Sequence, residues 1–377
     1  MPPNGTFLLY TIMKYLTLLF FLVLFCTSAD CQYREKLKKD KFNSAKFNTF
    51  ELEISKKRFD KLEFYYPINF SFVDARADKV KLGFVRVGNG NEFSNMIFPK
   101  EATEYINSRV SGASKGTDGK KLLVVIRHFW LSQMIVQSSA LKTMMLMDSK
   151  GYLSFCYFSG DFYLENNGQL QYLGRQDTIT KYHRWMGNVA NDLVNNTLEN
   201  AMDFGDSLAA HMPAATAFFD SHLLNDSLGN QFNYPILKTS HPAKGIYLKY
   251  EDFLNDLPLQ EEFELKEHRG DEYLQAQKTD TSITNKAWGY SDGEHIFKHL
   301  NDEYYLMLPV QNTFEVAGPR IIRKTYKPGQ EFFVVAVATF LRGLMGGVGG
   351  IWAVLVDKSI MKELVPYQLN IRNGTFY

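Results

Sequence analysis

The stretch Gly289-Tyr-Ser-Asp-Gly293 fits the G-x-S-x-G pattern of a nucleophile elbow, which would make Ser291 an acyl-transfer nucleophile. Such an elbow needs a buried strand before the serine, a helix after it, and an acid and then a histidine further along the chain. Here the preceding DTSITNK is polar and the following EHIFKHL reads as a strand. The only later histidines, His295 and His299, lie too close to serve as a distant base. The sequence favours a β-turn on Asp292-Gly293, with a serine hydrolase using Ser291 kept as the alternative. Ser359 and Lys362 match S-x-x-K, but the partner motifs S-D-N and K-T-G are absent. His295 and His299 are spaced i,i+4. On a helix they could share a zinc ion, whereas on a strand they would stand roughly 13 Å apart on one solvated face. Asp74, Arg76 and Asp78 follow a strand and read as a structural ion-pair cluster rather than an acid/base pair. Cys156 sits in an apolar run and reads as an inert core thiol. No catalytic, cofactor or metal site is assigned.

The least ordinary segment is FLRGLMGGVGGIWAVLV, residues 340–356. It lacks the Gly-x-x-x-x-Gly-Lys of a phosphate loop, and Trp352 stands where the third glycine of G-x-G-x-x-G belongs. As a helix it would carry two overlapping G-x-x-x-G pairs, Gly343 with Gly347 and Gly346 with Gly350, the spacing that lets apolar helices approach closely. The apolar run 332–356 is long enough to span a bilayer, yet Arg342 would cost roughly 2.5–3.5 kcal/mol on insertion scales. Arg320, Arg323, Lys324 and Lys327 precede it and fewer cations follow, which opposes the positive-inside tendency for an exported N-terminal part. Three readings stay open: a buried strand with a glycine-rich turn, a glycine-zipper helix against a membrane or partner, and a true span. The four zipper glycines are the candidate interaction surface.

The elements that would position these residues form an α+β chain. INFSFVDARADK alternates as a strand that ends in a charged corner. FPKEATEYINSRV places Ala102, Tyr105, Ile106 and Val110 on one helical face. KLLVVIRHFWLS is the strongest strand, and ALKTMMLMD and YLSFCYFSGDFYL are expected to follow as two more. A long helix is predicted from about His183 to Phe204, stopped by Gly205. This order predicts an N-terminal sheet covered by two helices. It is followed by a mainly β C-terminal domain, in which KAWGYSDGEHIFKHLNDEYYLMLPVQNTFEV reads as a β-meander and Asn373-Gly374 as a final hairpin turn. The expected boundaries are a signal peptide at 1–31, a basic linker at 32–58, an α+β domain at 59–205, a connector at 206–234 and the mainly β domain at 235–377, which carries the glycine-rich segment 332–356.

The opening residues, with a lone Lys14, an apolar run from Tyr15 to Phe25 and small residues before Gln32, have the form of a secretory signal peptide. A lipid anchor and a retained N-terminal helix are weaker alternatives, because neither Cys26 nor Cys31 follows a small residue and the apolar run is short for a span. Removing 1–31 leaves Cys156 as the sole cysteine, so the fold must rest on its core rather than on a disulfide. A composition 45% hydrophobic and 15% aromatic supports such a core. A formal charge of +1 gives no whole-protein field that would draw nucleic acid. The basic block REKLKKDK, 34–41, reads as solvated chain, with contact to an anionic surface as the alternative.

With the elements in place, INFSFVDARADKVKLGFVR, the helix at 99–110, LLVVIRHFWLS, the paired strands and the helix near 184–204 resemble the layout of small bacterial envelope lipoproteins of the YajG and transporter-auxiliary type. The DARADK…LG corner carries this resemblance over residues 60–205. The second half, GIYLKYEDFL…WGYSDGEHIF…YYLMLP…NTFEV, is similar to exported Bacteroidota proteins. The resemblance implies no catalytic residues. It implies a non-enzymatic exported protein that binds or supports another envelope component, in the periplasm or at the outer membrane, with secretion as the alternative. Its expected partner is an envelope protein or the membrane surface. Besides the hydrolase, an adhesive or ligand-binding β-module presenting aromatics such as Trp288 is a further alternative.

Overall fold

KLLVVIRHFWLSQMI, the run richest in β-branched and aromatic residues, forms a 15-residue strand at the centre of a mixed sheet. The computed structural model describes residues 44–64, 69–86, 93–113, 121–135, 152–211, 218–259, 262–268, 271–276, 287–300, 303–319 and 364–377. The chain divides into two compact units. One comprises Asn43–Val316, Ile322–Thr325 and Pro366–Tyr377. Of the other, only Ala317–Pro319 and Leu364–Val365 are described, as the ends of two strands.

The larger sheet contains β1 (Asn48–Glu51), β2 (Asn69–Asp74), β3 (Lys81–Arg86), β4 (Phe93–Ile97), β5 (Lys121–Ile135), β6 (Tyr152–Asn166), β7 (Gln169–Tyr182) and β8 (Phe218–Asp220). Its order is β1-β4-β3-β5-β6-β7-β8, with β2 also on β5. β6 pairs antiparallel along the whole of β5. The other edge of β5 is shared: β2 runs parallel to Lys121–Ile126, and β3 meets it at Leu131. The corner between β2 and β3 therefore sits beside residues 126–131 of β5.

Four helices flank this sheet: α1 (Lys56–Phe59), α2 (Ala102–Val110), α3 (Met186–Ala210) and α4 (Ser221–Asn230). Tyr105, Ile106 and Val110 of α2 and Leu193, Val194, Leu198 and Ala201 of α3 join Leu122, Val124, Phe129 and Phe158 in one core on the same sheet face. The opposite face holds Leu123, Val125, Tyr163 and Leu170, closed by Leu224 of α4 with Leu228 packed beside it.

Two local readings of the sequence change here. Gly205 does not end the long helix, which continues to Ala210 and is capped at His211. A Cβ on Gly205 would lie 2.4 Å from Leu122 Cδ2 and 3.0 Å from the Phe162 ring, so the glycine serves close approach of α3 to the sheet rather than termination. The stretch expected to be linker carries folded elements from Ser44 onward: β1 runs parallel to β4, and Leu52, Ile54 and Phe59 are buried in the main core.

The smaller sheet contains β9 (Gly245–Tyr247), β12 (Gly289–Ser291), β13 (Ile296–Leu300), β14 (Glu303–Val310), β15 (Thr313–Pro319) and β16 (Leu364–Gln368), while β10 (Phe263–His268) and β11 (Asp271–Ala276) form a separate hairpin. β12 to β15 are consecutive antiparallel neighbours, a meander. Ile246, Leu274, Tyr290 and Tyr304 make its core. A buried cluster ties the two sheets together: Lys81 Nζ on β3 lies 2.6 Å from both Glu315 Oε1 on β15 and Ser44 Oγ, and Ser44 also donates to Glu315 Oε2. Burial pushes the Glu315 carboxyl up despite the pull of Lys81.

The zipper glycines Gly343, Gly346, Gly347 and Gly350, the segment 332–356, the signal peptide 1–31, the basic block 34–41, Ser359 with Lys362 and the expected strand ALKTMMLMD all lie outside the described residues. Among the described residues no helix is long and apolar enough to cross a membrane.

Candidate functional site: an arginine-lined cavity

Strict alternation along β5 would put Arg127 and His128 on opposite faces. The register against β6 instead slips between Ile126 and His128, a β-bulge. Before it the even positions Leu122, Val124 and Ile126 enter the helix-covered core; after it the odd positions Phe129 and Leu131 do. The bulge thus lets two successive polar residues, Arg127 and His128, line one cavity on the other face, beside Trp130.

The second wall is the β2–β3 corner. Arg76 there is 4% exposed, and its guanidinium binds the Asp74 carboxylate through two bonds of 2.8 Å. It also donates to the carbonyls of Lys81 at 2.8 Å and Lys79 at 3.2 Å. Asp78 accepts from the backbone N–H groups of Val80 and Lys81 and from Gln368 Nε2. The cluster anticipated as a structural ion pair is therefore what shapes the corner.

The third wall comes from residues 369–377. Leu369 pairs with Phe376, and the turn between them has Gly374 at φ 76°, a left-handed conformation natural to glycine. The Tyr250 hydroxyl donates to Ile371 O at 2.6 Å and anchors this turn. It carries Arg372, whose guanidinium lies 5.5 Å from the Phe232 ring centre, and Tyr377, whose ring is 4.6 Å from that of His128.

Gln231 joins the walls. Its Nε2 donates to Ala75 O at 3.0 Å, and its Oε1 accepts from both Arg127 Nη1, at 2.9 Å, and Arg372 Nη2. Two guanidiniums are thus drawn to one neutral oxygen. Asp161 is likewise shared, accepting from Arg127 Nε at 2.6 Å and Arg175 Nε at 2.8 Å. These named groups number four guanidiniums against the carboxylates of Asp74, Asp78 and Asp161, so positive charge is in excess. Burial, and then the cations Arg127 and Arg175, lower the Arg372 pKa, although a guanidinium stays charged. Burial above all, then Arg76 and Arg372, pushes His128 down to about 3, which keeps the imidazole neutral at ordinary pH. Two buried nitrogens here have no hydrogen-bond partner among the described residues, His128 Nε2 and Arg372 Nε. The space between the walls is small, suited to a water-sized occupant or one small polar group.

The residues singled out from the sequence lie elsewhere. Ser291 is fully buried in β12, and its Oγ accepts from Gly293 N–H at 3.0 Å, closing the Asp292-Gly293 turn. His295 Nδ1 sits 3.5 Å from Asp292 Oδ2, and His299, on β13, packs its ring 4.8 Å from that of Tyr304. Among the described residues no group of three or more His, Cys, Asp and Glu side chains could hold a metal ion. Cys156 is buried in β6, and burial raises its thiol to about 12. Trp288 stacks on Phe253 at 4.4 Å with Lys298 Nζ 4.6 Å from its ring centre. The cavity residues Arg127, His128, Gln231 and Arg372 were not singled out from the sequence; the usable signal was a cation–histidine pair inside the otherwise apolar run Leu122–Leu131 of β5.

Comparison with protein-family models, with curated proteins and with solved structures finds no match for this chain.

Proposed function

We propose that this protein is a non-enzymatic binding protein of the cell envelope, exported to the periplasm or the outer membrane, which binds or supports another envelope component. The observation that carries the reading is the make-up of the cavity. Arg127 and Arg372 present guanidinium donors, held by Asp161 and by Gln231, itself tied to Ala75 O, so that they need not rearrange, and His128 lines the cavity beside them. Fixed donors of one sign suit holding an acceptor-rich partner group. The signal-peptide form of residues 1–31 and the resemblance of residues 60–205 to envelope lipoproteins supply the location. In this reading the two-helix sheet bears the cavity, the mainly β part that follows supplies the wall at 369–377, and the zipper glycines at 343–350 offer a second contact surface.

The test is expression of the full precursor in a Gram-negative host, followed by fractionation, an alkaline carbonate wash and labelling with a serine-directed probe. The processed protein is expected with the envelope fractions and unlabelled at Ser291. Recovery of unprocessed protein in the cytosol, or labelling that disappears in Ser291→Ala, would overturn the reading.

A further inference from the structure

We propose that the cavity is a binding site for a small oxyanion, a carboxylate or phosphoryl group carried by a small molecule, held between Arg372 Nε and His128 Nε2. The inference deepens the binding reading above and rests on it. Native proteins leave few buried donors without a partner, because each loses its water without compensation. Here two residues that line one cavity, His128 from β5 and Arg372 from the turn at 369–377, each carry a buried nitrogen that is unpaired among the described residues. His128 lines the cavity, partly buried, and its neutral ring offers a single N–H. With the proton on Nε2 it donates without adding charge, a mode that suits an oxyanion already faced by guanidiniums.

Charge points the same way. Among the described residues the Arg372 guanidinium hydrogen-bonds no carboxylate; its Nη2 is satisfied by the amide oxygen of Gln231, which Arg127 also uses. An anion would satisfy the orphan N–H of Arg372 and offset the like-charge crowding around Gln231. Phe232 beneath the Arg372 guanidinium and Tyr377 beside His128 keep the site low in dielectric, where each charge-assisted bond counts for more. The limited space selects the ligand: it admits the oxygen end of one carboxylate or phosphoryl group with the rest of the molecule at the mouth, whereas a nucleotide or an oligosaccharide would have to leave nearly all of itself outside.

The purified full chain is titrated calorimetrically with sodium phosphate and, separately, sodium acetate, at constant ionic strength in chloride. Saturable one-to-one binding of at least one probe is expected, and which of the two binds more tightly identifies a tetrahedral or a planar group. Arg372→Gln should weaken it by about 30-fold or more, and His128→Phe by about tenfold. Lys100→Gln, at an exposed side chain that pairs only with Glu104, should change it by less than about threefold. If Arg372→Gln fails to fold, His128→Phe carries the same test. Absence of saturable binding by both probes, or binding unchanged in both cavity variants, would overturn the inference. Were that to happen while the processed protein still fractionates with the envelope and resists the serine probe, the oxyanion site would fall and the binding reading would stand.

Discussion

Because His128 is held neutral inside a cationic cavity, stability should fall as the solution is acidified, by an amount the structure sets. In the unfolded chain the imidazole takes up its proton near its ordinary value of 6.5, whereas in the fold it does so only near 3. Between those values the unfolded state binds more protons. The contribution is therefore fully present above pH 6.5 and is lost as pH falls toward 3. At pH 5 the loss from this group comes to about 2 kcal/mol relative to pH 7.5, a sizeable part of a typical folding stability. The perturbation is His128→Phe, which keeps a flat ring beside Tyr377 and cannot titrate. Urea unfolding of parent and variant at pH 7.5 and 5.0, in chloride without phosphate or carboxylate buffers, gives four free energies. The parent should lose about 2 kcal/mol more than the variant over that interval. Equal losses in the two proteins would refute the argument that burial and the arginines hold His128 neutral, whatever the variant does to absolute stability.

Lys81→Met would strand the Glu315 carboxylate, 1% exposed, beside Ser44; a loss of about 3–5 kcal/mol is expected, with most of it recovered in Lys81→Met/Glu315→Leu, read by denaturant unfolding. Gly205→Ala gains roughly 1 kcal/mol of helix propensity, but its methyl group would press on Leu122 and Phe162, so a net destabilisation of about 1–2 kcal/mol is expected by the same measurement. Cys156, buried with its thiol raised to about 12, should resist a thiol reagent in native buffer and react stoichiometrically in denaturant; rapid native labelling would contradict its place in the core.

Elements with strong periodicity were legible in the sequence. The face Ala102, Tyr105, Ile106 and Val110 is the buried face of α2, and the short aromatic runs after Ala287 do form antiparallel neighbours. The cavity was not legible, for two reasons. Period-two reasoning separates Arg127 from His128, and only the register against β6 reveals the slip that unites them. The remaining walls, Gln231 and Arg372, arrive from stretches that local pattern reads as connector and hairpin, because what fixes them is hydrogen bonding over more than a hundred positions of chain. Gly205 misled in the opposite sense: a glycine after an apolar helical run has the signature of a stop, and only the Leu122 and Phe162 side chains packed beneath it explain why the helix goes on.

The way these walls are drawn from residues 76, 127, 231 and 372 has a kinetic side. Contacts that distant close large loops before they return any energy, so they form late on the folding path and slow it. A chain still lacking the docked segment 366–377 can build the helix-covered core yet present only part of the cavity. Any ligand of the finished cavity would bind the native state alone and draw the population toward it by mass action, with the strength of that pull set by ligand concentration. Occupancy would then act as a seal on completed folding, slowing the loosening of the final segment and, with it, access for proteases.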